Sequence, residues 1–530
     1  MAVALGDRAR RGVAGQRHTP LPLCRIAVAT RPVIRSQPAG VSAAKPPSID
    51  RALPPSPAKR TYETDQRLPV LVLFRHDLRV ADNRALSAAA ATGKPVLPVF
   101  LLDEQAGRAP GAARRWWLHH SLVALGESLA ALGTPLVLRR GPTSRIVTEL
   151  VEATGADLVM WNRRYEPSAV ETDRALKSWL TTIGIAAESF DGQLLHEPWT
   201  VKTAAGEPYK VFSAFWRAAN AGPEPRAAVD APKSLCCMPD APPSERLDDW
   251  RLLPQRPDWA GGLRAAWEPG EEGAQKRLAE FIGGLAGYAA GRDLPARDAT
   301  SRLSPHLAHG EITPFQIVQT LREMDAPAVD KSKFLAELGW REFSWHLLFH
   351  FPDLASQNFQ PAFDAMGWRD APGALVAWQQ GRTGYPLVDA GMRQLWTTGW
   401  MHNRVRMVAA SFLTKHLLID WRAGERWFWD TLVDADAANN PASWQWVAGS
   451  GADAAPYFRI FNPLLQGERF DPDARYVREH VAELAAIPPA EILRAGGDVK
   501  LAAGYPVALI DHPFARQRAL AAYHSMRGNP

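Results

Sequence analysis

Short apolar runs alternate with segments of helical period along the first half of the chain. The β-type runs fall at 70–74, 95–102, 135–139, 157–161 and 186–190, and the helical segments lie between them, near 82–92, 112–132, 143–154 and 168–183. Strand–helix alternation of this kind predicts a doubly wound parallel sheet. We therefore expect an α/β domain over residues 67–195, with any ligand at the carboxyl ends of its strands.

The pattern changes after residue 195. Residues 196–270 are rich in proline and irregular, which predicts a connector, and strand signals nearly vanish from about residue 271. Segments 334–349, 391–415 and 474–484 repeat apolar residues at helical spacing. The predicted fold class is thus α/β plus all-α, with an all-helical domain over 271–525.

Composition excludes several classes of protein. The chain is 46% hydrophobic and 22% charged, and no apolar run approaches the roughly 20 residues of a membrane span. Three cysteines in 530 residues do not form a disulfide framework and fit a reducing compartment. We expect a monomer in the cytoplasm.

The net charge of +5 comes from the N-terminal segment. Residues 1–60 contain 11 basic and 2 acidic residues, and the rest of the chain contains 50 and 54. The composition of 1–66 predicts a disordered basic extension, and an organellar targeting role for it stays open. Because the remainder is slightly acidic, binding of nucleic acid would require a local basic patch.

Four segments combine residue types that suit ligand chemistry. A hydroxyl-rich stretch, 299–305, enters a helix with Thr300, Ser301 or Ser304 as its cap, and a helix N-terminus with hydroxyl groups can bind phosphate. Helical spacing places Glu337, Trp340 and Arg341 on one face. It also places Asn403, Arg406 and Met407 together, while 434–446 holds acids, amides and tryptophans. Histidine pairs at 306/309 and 346/350 lack a third ligand, so we expect no metal site.

Together these segments resemble the photolyase/cryptochrome family, and specifically the cyclobutane-pyrimidine-dimer DNA photolyases. The resemblance covers about residues 68–525. It includes the segments 74–83, 209–212, 300–305, 337–341, 383–389, 400–407 and 434–463, and Tyr288. It implies an N-terminal α/β antenna domain and a C-terminal helical domain that binds FAD.

The resemblance also assigns roles to residues around the flavin. Phosphates and ribityl chain would meet the hydroxyl-rich segment, Arg406 would pair with Asp434 beside the flavin ring, and Asn440 would face flavin N5. An amide at N5 favours repair, because plant-type cryptochromes usually carry aspartate there. The implied cofactor-binding set is Tyr288, Thr300, Ser301, Arg302, Leu303, Ser304, Glu337, Arg341, Asn403, Arg406, Asp434, Asp436 and Asn440.

The implied substrate is DNA that contains pyrimidine dimers. The dimer would leave the duplex, enter a pocket and receive one electron from light-excited reduced FAD. The implied catalytic pocket is Glu337, Trp340, Asn403, Met407 and Trp446. The implied DNA-contacting residues are Glu337, Trp340, Asn403, Arg404 and Trp446. Trp368, Trp421 and Trp444 match the electron relay that reduces oxidised flavin in light.

Alternatives remain at three levels. A cryptochrome-type photoreceptor without repair activity is the second function. The (6-4) photolyases are disfavoured because Asn403 and Met407 stand where those enzymes carry a histidine pair. For the antenna, Glu166 sits where folate-binding members place a carboxylate, although Ala355 and Ser356 replace a Cys-Lys pair found in some relatives. Methenyltetrahydrofolate is the first choice, a deazaflavin the second and an empty site the third.

Overall fold

Five parallel strands form one sheet in the first third of the chain. The computed structural model describes residues 68–454, 458–494 and 499–528, so the predicted extension over 1–66 lies outside the described residues. The strand order is β3-β2-β1-β4-β5 and all neighbours are parallel. The strands are β1 Val70–Phe74, β2 Val96–Leu102, β3 Val137–Arg140, β4 Leu158–Asn162 and β5 Ala186–Phe190. This arrangement confirms the predicted doubly wound sheet.

The central strand β1 and its neighbour β2 are apolar throughout because helices cover both faces of the sheet. Every residue of β1 and β2 is buried, as expected for a parallel sheet covered on both sides. The covering helices are α1 Arg84–Ala91, α2 Ala112–Ala131, α3 Thr143–Thr154 and α4 Pro167–Thr182. Asn83 caps α1 by accepting a hydrogen bond from the backbone N–H of Leu86 at 3.1 Å, as short polar N-caps do.

The predicted connector, 196–270, is more regular than its proline content suggests. It contains α5 Phe212–Ala221, a 3₁₀ turn at Leu247–Trp250 and α6 Gly261–Ala266. The segment also contacts strand β2 of the sheet. Cys237 forms a β-bridge with Val96, and the ring centre of Trp250 lies 6.0 Å from that of Phe100. Residues 235–252 of this segment therefore pack against the α/β core, whereas α5 packs on α11 and α6 on α13.

The rest of the described chain is helical, as the sequence predicts. Tryptophans, leucines and small residues of α12 to α16 form its largest buried cluster. The helices are α7 Glu271–Gly283, α8 Tyr288–Gly291, α9 Ser304–His309, α10 Pro314–Glu323, α11 Ala328–His350, α12 Pro372–Gln379, α13 Pro386–Thr398, α14 Asn403–Ser411, α15 Trp421–Thr431, α16 Asn439–Ala448, α17 Pro463–Phe470, α18 Arg475–His480, α19 Pro489–Leu493 and α20 His512–Met526.

The segment of helical period over 391–415 is divided between two helices, α13 and α14. Gly399, with φ of 67°, ends α13 in the left-handed conformation, which stops a helix. A new helix begins at Asn403, where the side chain of His402 accepts a hydrogen bond from the N–H of Arg404 at 3.2 Å. Residues 400–402 therefore link two helices, and Phe412–His416 continues α14 as a π-helical turn.

Candidate functional site

An ion pair between α14 and the loop before α16 is central to the candidate site. The guanidinium of Arg406 donates two hydrogen bonds to the carboxylate of Asp434, at 3.1 and 2.8 Å. The hydroxyl of Ser304 donates to the same carboxylate at 2.6 Å, and Arg406 Nε donates to the carbonyl of Met401 at 2.7 Å. The structure thus brings Ser304 to Asp434, 130 positions later in the sequence, and to its partner Arg406.

The hydroxyl-rich segment enters α9 as expected, but the predicted cap is wrong. Leu303 occupies the N-cap position and, having no polar side-chain atom, makes no capping bond. The hydroxyl of Ser304, the first residue of α9, donates to Asp434. The Ser301 hydroxyl accepts from the N–H of Leu303 at 3.4 Å, and Thr300 is half-buried beside it. The hydroxyl groups therefore lie together at a bend in the chain.

The neighbours of this segment combine apolar and cationic surface. Tyr288 and Leu303 belong to one buried cluster, and burial raises the pKa of the Tyr288 hydroxyl. Arg302 has a φ of 50°, pairs with Asp298 at 3.1 Å and lies 5.3 Å from the ring centre of Trp400. The guanidinium of Arg406 also lies near Trp400, 5.9 Å from the centre of its ring.

Two polar side chains before and within α16 are fixed by short hydrogen bonds. Asp436 accepts from the N–H of Ala438 at 2.9 Å and from the amide of Asn439 at 2.7 Å. Burial raises the pKa of the Asp436 carboxyl. The Asn440 amide donates to the carbonyl oxygen and to the carboxylate of Glu425, at 3.1 and 2.8 Å. The side-chain oxygen of Asn440 therefore points away from Glu425.

Glu337 and Arg341 share a face of α11 but contact different elements. The Glu337 carboxylate is paired with Arg292, at the end of α8. Arg341 instead donates to the carbonyl of Gln193 at 2.9 Å and lies 3.4 Å from Glu342, on the side of the α/β region. Burial raises the pKa of Glu342 to about 7. Only Glu337 of these two therefore turns towards α8.

The two tryptophans expected to form a pocket are half-buried on adjacent helices, α11 and α16. Trp340 stacks on Phe212 with ring centres 3.8 Å apart and an angle of 12°. Trp446 has the guanidinium of Arg459 at 5.8 Å from its ring centre. Such a stack leaves broad aromatic surface in a fixed orientation, which suits a planar ligand.

The residues expected from α14 lie at its exposed start. Asn403 is its first residue and is exposed, and Met407 is half-buried one turn later. Arg404 pairs with Asp293 at 2.9 Å and lies over the ring of Phe470 at 4.3 Å. Arg404 is thereby fixed at the surface near the first turn of α14.

The three tryptophans expected to form a relay share one apolar environment. Trp421 and Trp444 belong to the largest buried cluster, and Trp368 packs against it half-buried. Trp421 donates its indole N–H to the side chain of Asn358 at 2.9 Å. The ring of Trp444 lies 4.9 Å from Phe428 and 6.1 Å from Trp378. The cluster therefore leads from a buried ring to a partly exposed one.

A cavity of about 380 Å³ opens at the carboxyl ends of the strands, where β1 and β4 meet. This is the position expected for a ligand of a doubly wound sheet. Glu166 and Ala355 line it, and the imidazole of His76 is 3.1 Å from the Glu166 carboxylate. Burial alone would raise the pKa of Glu166, but His76 and Arg164 lower it to about 2.

The donor groups of the helical region fit a dinucleotide cofactor. Hydroxyl groups at 300, 301 and 304 and a paired guanidinium at Arg406 suit phosphate and ring oxygens. The Nε of Arg302 is buried and has no hydrogen-bond partner among the described residues. A buried donor of this kind calls for an acceptor, and phosphate oxygens accept strongly from arginine.

Comparisons with known proteins identify the family of the chain. The family model described as "DNA photolyase" matches residues 70–233, and "FAD binding domain of DNA photolyase" matches residues 334–525. The deoxyribodipyrimidine photo-lyase of Agrobacterium fabrum is 53% identical over 472 residues, covering 87% of this chain and 98% of that relative. The chain belongs to the DNA photolyase family. Both the family and the class of enzyme expected from the sequence are therefore confirmed, as is an FAD-binding domain.

Solved structures and cryptochromes are similar over the same region. The class III photolyase from Agrobacterium tumefaciens has a TM-score of 0.85 and 52% identity, covering 88% of this chain and 99% of that one. Cryptochrome-2 of Arabidopsis thaliana is 36% identical, covering 84% of this chain and 77% of that relative. These similarities support the function of a DNA photolyase for this chain.

Several residues that shape the site escaped the sequence analysis. Arg292 pairs with Glu337, Phe212 stacks on Trp340 and Glu425 holds Asn440. Phe212 stands in a segment that carried the family resemblance, but nothing in its spacing predicts the stack. The other two come from elements with no distinctive motif, so only the fold reveals them.

Two classes of feature are not found in the described part of the chain. Residues 68–454, 458–494 and 499–528 contain no helix long and apolar enough to cross a bilayer. In the same residues, no group of three potential ligands is arranged to hold a metal ion. The histidines of α11 instead both face the carbonyl of Pro198, at 3.2 and 3.0 Å.

Proposed function

We propose that this photolyase repairs cyclobutane pyrimidine dimers in DNA, driven by light. The observation that carries the proposal is the position of Trp340 and Trp446, half-buried on the neighbouring helices α11 and α16. Helix α16 also carries Asn440 and packs on α14, whose Arg406 pairs with Asp434. Aromatic surface beside a flavin-type polar set suits a flipped pyrimidine pair. The 53% identical relative named deoxyribodipyrimidine photo-lyase supports the same substrate.

In this proposal, FAD bound to the helical region supplies the light-excited electron donor. The hydroxyl-rich segment and Arg302 hold its phosphates, and the Arg406 guanidinium, oriented by Asp434, places positive charge beside the ring. Preorganised charge of this kind stabilises electron density without reorganisation. Asn440 offers an uncharged polar group to N5, with its amide nitrogen held by Glu425.

On the DNA side, each predicted pocket residue has one task. Trp340 and Trp446 form apolar walls for the extruded dimer, and Phe212 keeps the Trp340 ring in place. Glu337 exchanges its partner Arg292 for the edge of a base. Asn403, Arg404 and Met407 contact the dimer and the flanking strand from the start of α14. Water is excluded when the dimer fills the pocket, which strengthens each polar contact.

The light-dependent reduction of the cofactor is assigned to the tryptophan cluster. Electrons would pass from Trp368 through Trp421 to Trp444, which are joined by one continuous apolar cluster. We also assign the 380 Å³ cavity to an antenna chromophore. Glu166 would bind the pterin of methenyltetrahydrofolate, a deazaflavin being the second choice and an empty cavity the third. The protein would act as a monomer in the cytoplasm.

The decisive experiment illuminates purified, reduced protein with DNA that contains thymine dimers. We expect the absorbance of thymine to return in light and not in the dark. Trp340→Ala should retain the cofactor and lose lesion affinity, whereas Trp396→Ala, which removes an exposed tryptophan, should repair normally. No return of absorbance, with normal photoreduction, would favour the cryptochrome-type photoreceptor.

A further inference from the structure

The loop between β2 and α2 is docked on α15 by several independent contacts. Trp429 donates its indole N–H to the carbonyl of Ala109 at 2.9 Å. The N–H of Ala112 donates to the side chain of Asp430 at 2.9 Å. A Cβ at Gly111 would lie 2.1 Å from the backbone oxygen of Trp429, so only glycine permits this approach. The loop is therefore held at a fixed distance from α15.

Arg108 extends from this loop to a buried carboxylate. Its guanidinium lies 4.0 Å above the ring centre of Trp429 and donates to Glu425 Oε1 at 2.6 Å. The side chain of Glu425 is only 3% exposed, and that of Arg108 is 35% exposed. A carboxylate this deeply buried requires a charged partner to remain ionised, and Arg108 is within contact distance to serve.

The same carboxylate oxygen determines the orientation of Asn440. Glu425 Oε1 accepts from Asn440 Nδ2 at 2.8 Å, and the Glu425 carbonyl accepts from the same nitrogen at 3.1 Å. Both partners are acceptors, so a reversed amide would place its oxygen against two oxygens. The Asn440 side-chain oxygen is therefore directed away from Glu425.

We propose that Arg108 is a positioning residue that keeps the Asn440 amide in this orientation through Glu425 and thereby favours reduced flavin. The inference rests on the proposed placement of Asn440 at flavin N5. Reduced flavin has an N–H group at N5, which would donate a hydrogen bond to the Asn440 side-chain oxygen. Oxidised flavin has no hydrogen at N5, so N5 would accept a hydrogen bond from the NH₂ group of a reversed Asn440 amide. The orientation of one amide thus biases the redox equilibrium.

Loss of the Arg108 charge acts on this chain of contacts in a defined way. An unpaired buried carboxylate neutralises by taking up a proton, and protonated Glu425 can donate as well as accept. The reversed amide of Asn440 then becomes available, although the Glu425 carbonyl still disfavours it. We expect the equilibrium ratio of reduced to oxidised flavin to fall by roughly five- to tenfold, the effect of one neutral hydrogen bond.

The experiment compares Arg108→Met, which keeps an apolar stem, with Arg108→Lys, which keeps the charge. Flavin-loaded protein is equilibrated with a redox dye, and the ratio of the two flavin states is read from absorbance. Arg140→Met is the matched control, because Arg140 pairs with Glu104 at 2.6 Å in a nearby, more exposed pair. We expect a shifted ratio in Arg108→Met alone, together with a new infrared band of a protonated carboxylic acid.

Distinct outcomes would overturn the inference. A wild-type ratio in Arg108→Met, or an equal shift in Arg108→Lys, would show that the charge of Arg108 does not act on the flavin. If Arg108→Met fails to bind FAD, Glu425→Gln replaces it, and a wild-type ratio there refutes the role of the carboxylate. A dimer-repair assay on wild-type protein is run in parallel, so that failure of the proposed function is seen separately.

Discussion

Replacing Asp434 by asparagine should destabilise the helical region by a measurable and specific amount. The substitution keeps the shape of the side chain but removes the negative charge of the carboxylate, which accepts two hydrogen bonds from Arg406 and one from Ser304. Removing one partner of a buried ion pair costs about 3–5 kcal/mol. The Asp434 side chain is 3% exposed, but that of Arg406 is 24% exposed. Solvent screening therefore reduces the expected loss to about 2–3 kcal/mol.

The assay is urea denaturation followed by tryptophan fluorescence, carried out on the FAD-free chain so that cofactor binding does not contribute. Asp157→Asn is the control, because the Lys94–Asp157 pair is 29% and 40% exposed and should contribute about 0–1 kcal/mol. The double variant with Arg406→Met should lose less than the sum of the two single variants. If Asp434→Asn lowers the free energy of unfolding no more than the control does, burial does not make disruption of the Arg406–Asp434 pair costly, and the reasoning is refuted.

Three further predictions address repair, photoreduction and pH. Glu337→Ala should keep FAD and slow or weaken repair by about 1.5–3 kcal/mol, the value of a hydrogen bond to a charged group; full repair with unchanged lesion affinity would remove Glu337 from the pocket. Trp421→Phe should photoreduce poorly with an external thiol yet split dimers after chemical reduction; wild-type photoreduction would place the electron path elsewhere. His76 lowers the pKa of the Glu166 carboxyl to about 2 despite its burial. The ionised carboxylate therefore stabilises the folded state above about pH 4.5, and this contribution to the free energy of unfolding is lost as the pH falls towards 2. Glu166→Gln should flatten acid unfolding measured by circular dichroism in that interval, and an unchanged curve would contradict the shift.

Sequence patterns predict the sheet well because its strands are continuous apolar runs. The five strands begin and end within two residues of their predicted positions, since a parallel sheet covered on both faces leaves no polar interruptions. The break at Gly399 was missed because apolar periodicity continues across it. One glycine in the left-handed conformation outweighs that periodicity.

The site was predicted as a set of residues but not as a set of contacts. The pairing of Arg406 with Asp434 came from resemblance, whereas Arg292, the partner of Glu337, stands 45 positions away, directly after a helix of four residues. The predicted cap of α9 failed because Ser304 is the first residue of the helix, with Leu303 at the N-cap, and its hydroxyl donates to the distant Asp434. Contacts between residues so far apart in the sequence produce no motif of fixed spacing, so the sequence pattern does not predict them.

If the proposed function holds, the charges of the pocket would let a slightly acidic protein bind damaged DNA selectively. Arg292 and Arg404 are paired with the acidic residues Glu337 and Asp293, so their attraction for an undamaged backbone would be partly cancelled. A flipped lesion would offer Glu337 a base edge in exchange for Arg292, and the released guanidinium would then be available to a phosphate. Phosphate contacts position the DNA without reading its sequence. A contact that forms only when the lesion displaces Glu337 makes binding depend on the damage itself.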